Sequence, residues 1–249
     1  LPSGYKMSDP WNDEAAMVDG KLMPAPITDD HRKSKQFAWL RSLNVDVQRN
    51  GYYAVCRSWA TDGKSRGREW AFLATEDDLR AFQLKHEVSN FFVFLDSGDG
   101  PNTDAVYRLC AKYGWNATKG AGQNEFAWRI QTPYGIKVAY RPYSRAKVIQ
   151  VGAQSCKLLL YSNLVFKDAL ARLRRAGAHT YPEDFGDEYR KQMQSEHRTR
   201  TEAGKPIWVQ VGDRPNHLWD CEVIGILPAL MAKLGASHLG ELEIREGEW

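Results

Sequence analysis

The stretch that decides the fold is Leu43-Asn44-Val45-Asp46-Val47-Gln48-Arg49-Asn50-Gly51. Asn-Gly between two runs of β-branched and aromatic residues is a strong hairpin signal. The pattern predicts strands over 39–48 and 52–59, and turn residues at 61–64 lead into a third strand over 68–73. Three consecutive antiparallel strands are therefore expected to open the folded part of the chain.

Helices are expected only after this meander. Thr75, followed by three acids, predicts a capped helix to about His86, and Pro101 starts another helix through Lys112. Between them, Phe91–Leu95 is wholly apolar, as in a buried central strand, and Trp115–Lys119 predicts the next strand. This order predicts an α/β fold in which helices flank a mixed central sheet.

The second half is less regular. We predict a hairpin from 125–130 and 136–140, a strand at 147–151, a mostly helical segment at 155–175, a strand at 207–211, and a last helix from Asn216 to about Lys233, kinked at Pro228.

The two ends differ in composition from the middle. Residues 1–36 are rich in Pro and Gly and are predicted to be a linker or arm with one short helix near 13–18. Residues 37–235 are expected to form one domain, and 236–249 an acidic tail. Residues 1–30 carry six acids against two Lys, although the whole chain has a net charge of +3. The body is therefore basic, which fits a polyanionic partner, although a chance excess on a solvated surface remains the alternative.

Several classes of protein are disfavoured. The four Cys lie far apart without zinc-ligand spacing, which indicates a reducing cytosol. The longest apolar run, Val223–Ala232, is too short for a membrane span. Gly63-Lys64-Ser65 resembles the end of a phosphate-binding loop, but it joins two strands and lacks the earlier glycine, so no ATP site is expected in this chain.

Three acids occupy unusual places. Asp46 lies inside a predicted strand, where acids are depleted, and Asp96 directly follows the buried strand 91–95. Asp220 falls in the first turns of the last helix among apolar neighbours. Each has a structural alternative: Asp220 as a helix-dipole partner, Asp96 as a turn residue, and Asp46 as a tolerated strand acid.

Together the three carboxylates indicate a metal site. Neighbouring carboxylates repel unless a cation compensates them, and an oxygen-only set suits Mg²⁺ or Mn²⁺. Two such ions roughly 3.5–4 Å apart can activate a water and stabilise the leaving 3′ oxygen of a phosphodiester. The sequence therefore predicts metal-dependent phosphodiester hydrolysis.

The motifs around these acids carry a resemblance to a known family. They are Val45-Asp46-Val47-Gln48, Leu95-Asp96-Ser97-Gly98 with Val106-Tyr107 downstream, Lys119-Gly120, and Asn216-His217-Leu218-Trp219-Asp220-Cys221-Glu222. In this order they resemble the nuclease half of lambda-type (GpA family) large terminase subunits, which cut concatemeric viral DNA during packaging. The resemblance covers roughly residues 37–235.

The resemblance implies a ribonuclease-H-like nuclease that uses Mg²⁺ or Mn²⁺, with Asp46, Asp96 and Asp220 as the metal-binding acids. It also implies double-stranded DNA as substrate, the portal and the small terminase subunit as partners, and the host bacterial cytoplasm as location. His217, one helical turn before Asp220, is a candidate catalytic residue, with a capping or core role as the alternative.

Basic residues complete the predicted site. Lys157, beside an apolar run, is a candidate phosphate ligand, or a surface lysine whose stem covers apolar groups. Candidates for the DNA track are Arg141, Arg145 and Lys147 after the second hairpin, and Arg172, Arg174 and Arg175 on the basic helix. Such contacts would reach phosphates without reading sequence, and a solvated helix face is the alternative.

Two other functions stay open at this point. One is a different ribonuclease-H-like enzyme, such as a transposase, integrase or junction resolvase. The other is a non-catalytic module that binds DNA or docks to the motor, in which the acids are structural.

Overall fold

The computed structural model describes residues 16–18, 21–23, 40–98, 100–234 and 245–246. The predicted domain boundaries at 36/37 and 235/236 lie outside the described residues. No helix among the described residues is long and apolar enough to cross a membrane.

Fifteen strands and six α-helices are described. The strands are β1 (Ala16–Val18), β2 (Lys21–Met23), β3 (Leu40–Gln48), β4 (Gly51–Trp59), β5 (Ser65–Leu73), β6 (Val93–Asp96), β7 (Asn116–Ala121), β8 (Phe126–Thr132), β9 (Gly135–Arg141), β10 (Lys147–Val151), β11 (Gln154–Ser162), β12 (His179–Thr180), β13 (Glu196–Arg200), β14 (Pro206–Gln210) and β15 (Arg245–Glu246). The helices are α1 (Glu76–Lys85), α2 (Thr103–Tyr113), α3 (Asn163–Arg175), α4 (Gly186–Gln192), α5 (His217–Ile224) and α6 (Ile226–Met231).

The central sheet has the order β10-β11-β7-β6-β3-β4-β5-β12. Strands β3, β4 and β5 are antiparallel, as predicted from the Asn-Gly hairpin, whereas β6, β7 and β11 run parallel to β3. This confirms the expected mixed sheet, opened by three antiparallel strands and flanked by helices.

Side chains alternate between the two faces of the central sheet, so the protein has one hydrophobic core on each face. Leu43 and Val45 of β3 face the side covered by α1 and α2. The opposite face, with Phe94 of β6, packs against α3, α4, α5 and α6. Since strand side chains alternate between faces, Asp46 and Asp96 lie on the α5 side.

Three predictions about secondary structure were wrong. Residues 154–162 form β11 and only 163–175 form a helix, because this segment pairs parallel with β7. The last helix breaks at Gly225, before Pro228. Ala16–Val18, predicted to be part of a short helix, pair antiparallel with Lys21–Met23 as strands.

Candidate metal centre

Asp46 and Asp96 are brought together by strand register. Val45 pairs with Leu95 across the parallel strands β3 and β6, so the next residue on each strand is an aspartate. Asp96 ends β6 at its carboxyl end, the edge of an open α/β sheet at which sites form.

Asp46 is held by two polar partners. Its Oδ2 accepts hydrogen bonds from Gln48 Nε2 at 2.8 Å and from His217 Nδ1 at 2.8 Å. The His217 ring in turn stacks on Tyr53, with centroids 4.6 Å apart. Only 8% of the Asp46 side chain is exposed, so its orientation is fixed by these contacts.

Asp96 lies next to a tight loop. Its Oδ1 accepts from the backbone N–H of Gly98 at 3.2 Å, and a Cβ added at Gly98 would lie 3.2 Å from Asp96 Oδ2. Glycine therefore lets the loop pass close to the carboxylate. Burial, and then the charge of Asp46, raise the pKa of Asp96 to about 6.

Asp220 reaches the same site from α5, and 32% of its side chain is exposed. Desolvation raises its pKa, Lys167 lowers it, and the charges of Asp46, Glu196 and Asp96 raise it, to about 8 overall. Each of the three predicted acids therefore lies within electrostatic range of the other two.

Buried Tyr161 of β11 provides a second sign of this convergence. Burial, and then the charges of Asp96, Asp220 and Asp46, raise its pKa well above the usual value. The charges of all three carboxylates therefore act on the same tyrosine.

The donor chemistry of these three side chains fits a hard divalent cation, since they offer only oxygen. Within the described residues, no group of three or more His, Cys, Asp or Glu side chains is close enough together, as placed, to hold one metal ion. To share an ion, the three carboxylates would therefore have to move closer together, with water completing the coordination, as is common for Mg²⁺.

The burial of Asp220, and then its closeness to the other carboxylates, should affect the stability of the protein. Asp220→Asn is expected to stabilise the metal-free protein by at least about 1 kcal/mol at neutral pH, the equivalent of roughly one pKa unit, because it removes a charge that the fold disfavours. Thermal unfolding in EDTA measures this, with exposed Asp104→Asn as control. A lower melting temperature for Asp220→Asn would contradict the expected cost of burying this carboxylate beside the other two.

Sequence reasoning missed two charged residues beside the acids. Lys167 of α3 lies with its Nζ 3.9 Å from Asp220 Oδ1 and 2.7 Å from Glu196 Oε2. Both residues occur in ordinary amphipathic or polar surroundings, so only the tertiary packing brings them to Asp220.

Glu222, two residues after Asp220, faces away from the site. Its carboxylate lies fully buried between Arg57 and Tyr189, with Arg57 Nη2 at 2.7 Å. It therefore supports α5 and does not belong to the candidate centre.

A family model of known proteins matches residues 73–239, more than half of the chain. Its description is "Terminase large subunit gpA, endonuclease domain". The chain belongs to this family. No curated protein matches the chain in sequence.

Solved structures similar to this terminase endonuclease domain include three phage nucleases. The large terminase nuclease of thermophilic phage G20c is 14% identical with a TM-score of 0.43, covering 74% of this chain and 79% of its own. The g2p nuclease domain of bacteriophage SPP1 with bound Mn is 11% identical with a TM-score of 0.43, covering 82% and 93%. The Thermus phage P74-26 large terminase nuclease domain is 15% identical with a TM-score of 0.41, covering 78% and 85%.

Not every predicted basic residue of the terminase endonuclease domain lies near the acids. Lys157 Nζ lies 5.4 Å from the centroid of the Phe91 ring, which precedes β6, whereas Asp96 is at the far end of that strand. The structure therefore does not bring Lys157 to the carboxylates.

The basic helix α3 contributes less exposed charge than expected. Arg174 donates to the Met193 carbonyl at 2.8 Å and stacks over Trp219 at 5.2 Å, and desolvation lowers its pKa to about 10. Arg172 is half-buried and only Arg175 is exposed. We therefore do not retain Arg174 as a DNA contact.

The β8–β9 hairpin region is the more strongly charged surface. Residues 126–147 contain Arg129, Lys137, Arg141, Arg145 and Lys147 and no acid. Arg141 and Arg145 lie over the ring of Trp128, at 4.2 and 5.4 Å from its centroid, while Lys147 is exposed at the start of β10.

Proposed function

We propose that this chain is a metal-dependent DNA endonuclease that cuts concatemeric viral DNA during genome packaging. The observation that carries the proposal is the convergence of Asp46, Asp96 and Asp220 from β3, β6 and α5. Three carboxylates whose charges act on one another are costly for a fold unless a cation uses them. Membership of the terminase endonuclease family supports double-stranded DNA as the substrate.

The three aspartates would hold Mg²⁺ or Mn²⁺, and we propose two ions. Bound there, divalent ions would activate a water and stabilise charge on the leaving 3′ oxygen. Gln48 and His217 orient the Asp46 carboxylate through their hydrogen bonds to Oδ2. The Nε2 of His217, on the far side of the ring from Asp46, can exchange a proton with a substrate oxygen.

We propose that DNA reaches these acids along the β8–β9 hairpin. The hairpin follows β7, which runs parallel to β6 and pairs with it at Asp96–Thr118, so it emerges from the edge that carries Asp96. The hairpin is held to the domain at Trp128, whose Nε1 donates to the Tyr143 carbonyl at 2.8 Å. Tyr143 in turn forms an isolated β-bridge with Tyr161, whose side chain lies near the acids.

The test of activity is plasmid cleavage. Purified protein with Mn²⁺ or Mg²⁺ is expected to nick and linearise supercoiled DNA with little sequence preference, and EDTA should stop it. A matched panel of linear, hairpin and four-way DNAs separates this activity from resolvase or transposase chemistry. Intact plasmid at high protein and Mn²⁺ concentrations would contradict the proposal for this chain.

The DNA track predicts a salt effect. Lys147→Ala should weaken binding to unrelated duplexes about equally and reduce the slope of log affinity against log salt by roughly one, since one phosphate contact is lost. Fluorescence anisotropy over a salt series measures both. Exposed Lys191→Ala on α4 is the control, and an unchanged slope for Lys147→Ala would remove this lysine from the track.

We further propose, from family membership alone, that the domain works in the host bacterial cytoplasm within a motor that includes the portal and the small terminase subunit. Residues 1–36 would be an interdomain linker and 236–249 an acidic tail. Co-purification of the expressed chain with each partner tests these contacts.

A further inference from the structure

We propose that Lys167 is a positioning residue of the endonuclease site, acting through Glu196 and Asn216 on the first turn of α5. This turn carries His217 and ends at Asp220. The inference rests on the proposed nuclease function and assigns the residues that hold its third acid in place.

The contacts form a continuous chain. Lys167 Nζ donates to both oxygens of Glu196, at 2.8 and 2.7 Å. Glu196 Oε1 also accepts from Asn216 Nδ2 at 3.1 Å. The carbonyl of Asn216 accepts the backbone N–H of Asp220 at 2.8 Å. Lys167 is thus linked to the backbone of Asp220 through three hydrogen-bonded steps.

Electrostatics gives Lys167 a second effect on the same helix. Its Nζ lies between two carboxylates, in contact with Glu196 and 3.9 Å from Asp220 Oδ1. The Glu196 side chain is only 5% exposed, so without Lys167 it would be a nearly buried charge beside Asp220. An uncompensated charge of this kind is expected to displace its neighbours or to protonate.

Lys167 is poorly placed to bind DNA itself. Its side chain is 13% exposed, and its ammonium already contacts both oxygens of Glu196. Lys147, by contrast, is an exposed lysine of the kind that neutralises phosphates. Burial therefore favours a positioning role over a contact with the substrate.

The primary test is Lys167→Met in the full chain. We expect kcat for plasmid nicking with Mn²⁺ to fall about 10- to 100-fold, the range for a small misplacement of a catalytic group, with KM for DNA and its salt dependence unchanged. Lys167→Arg should recover most of the rate, because it keeps a cation next to Glu196.

Thermal unfolding provides a readout that does not depend on activity. Mn²⁺ that binds only the folded protein raises its melting temperature. We expect this rise to shrink in Lys167→Met, because Asp220 is no longer held for the ion. If Lys167 only competed with the ion by charge repulsion, the rise would grow, and that outcome would overturn the proposal.

A double-mutant cycle keeps the test informative if Lys167→Met folds poorly. Lys167→Met with Glu196→Gln removes both charges, so the double variant should lose less activity than the product of the two single losses. Multiplicative losses would mean that the two residues act separately and would contradict the chain of contacts.

The matched control is Lys85→Met on α1. Lys85 contacts both oxygens of Glu69 at 2.7 and 2.6 Å, but its side chain is 60% exposed and packs on the other face of the sheet. The Lys85→Met variant should leave kcat and the Mn²⁺ response unchanged.

A raised KM with a flatter salt dependence in Lys167→Met would identify a DNA contact and overturn the positioning role. If the wild type neither cuts DNA nor responds to Mn²⁺, the nuclease proposal itself fails instead.

Discussion

Asp46→Asn is expected to lower the rate of Mn²⁺-dependent plasmid nicking by at least about a thousandfold, or ~4 kcal/mol in transition-state stabilisation. Asp46 is the acid whose charge affects both Asp96 and Asp220, and it is the one fixed by Gln48 and His217. Asparagine keeps the shape of the side chain but removes the charge that a divalent ion requires.

The fold should survive this change. Asparagine Oδ1 can still accept from Gln48 or His217, and removal of one of three neighbouring charges relieves repulsion. We expect a melting temperature in EDTA no lower than that of the wild type. Asp213→Asn, in an exposed turn, is the activity control. Nicking by Asp46→Asn at more than about one tenth of the wild-type rate would exclude Asp46 as an essential ligand.

Arg57→Met is expected to lower the free energy of unfolding by about 3–5 kcal/mol, because it leaves a buried carboxylate without its cation. Arg57 donates from Nε and Nη2 to the two oxygens of Glu222, each at 2.7 Å, and both side chains are fully buried. Tyr189 donates to the same carboxylate at 2.5 Å. Although burial raises the pKa of a carboxyl, Arg57 and His179 hold the pKa of Glu222 below its usual value.

Urea unfolding measures this effect, and two variants serve as controls. Arg190→Met breaks an ion pair with Asp187 whose carboxylate side chain is 82% exposed, and should cost less than ~1 kcal/mol. Arg57→Met combined with Glu222→Leu removes both charges and should recover part of the loss. A loss below ~1 kcal/mol for Arg57→Met alone would mean that Glu222 finds another partner.

Local patterns predicted the framework of the sheet because the signals were short-range. Asn50-Gly51 predicted the first hairpin, and Thr75 predicted a helix start that the structure shows as a reciprocal cap with Asp78. The apolar run before Asp96 predicted the central strand, of which residues 93–96 form β6. Each of these features depends on neighbours in sequence and needs no knowledge of tertiary contacts.

Segments decided by tertiary pairing were harder to predict. Ser155–Ser162 contains Leu158-Leu159-Leu160, which fits a buried helix as well as a strand, and only pairing with β7 selects the strand. The β13 strand is polar and largely exposed, so it carries no periodic signal.

The residues of the candidate site also differ in how well the sequence predicted them. Asp46, Asp96 and Asp220 were noticeable because acids are unusual at those places, and the structure brings them into electrostatic range. Lys167 and Glu196 are charged residues in ordinary positions, which explains why they were missed. Lys157 was chosen for its apolar neighbours, but its strand places it away from the end of β6.

The most direct measurement of the central claim is an anomalous difference map from a crystal soaked in Mn²⁺. A shared three-carboxylate centre predicts Mn²⁺ peaks in contact with oxygens of Asp46, Asp96 and Asp220 together. Peaks that contact none of these carboxylates, or only one of them while the other two stay turned away, would contradict it.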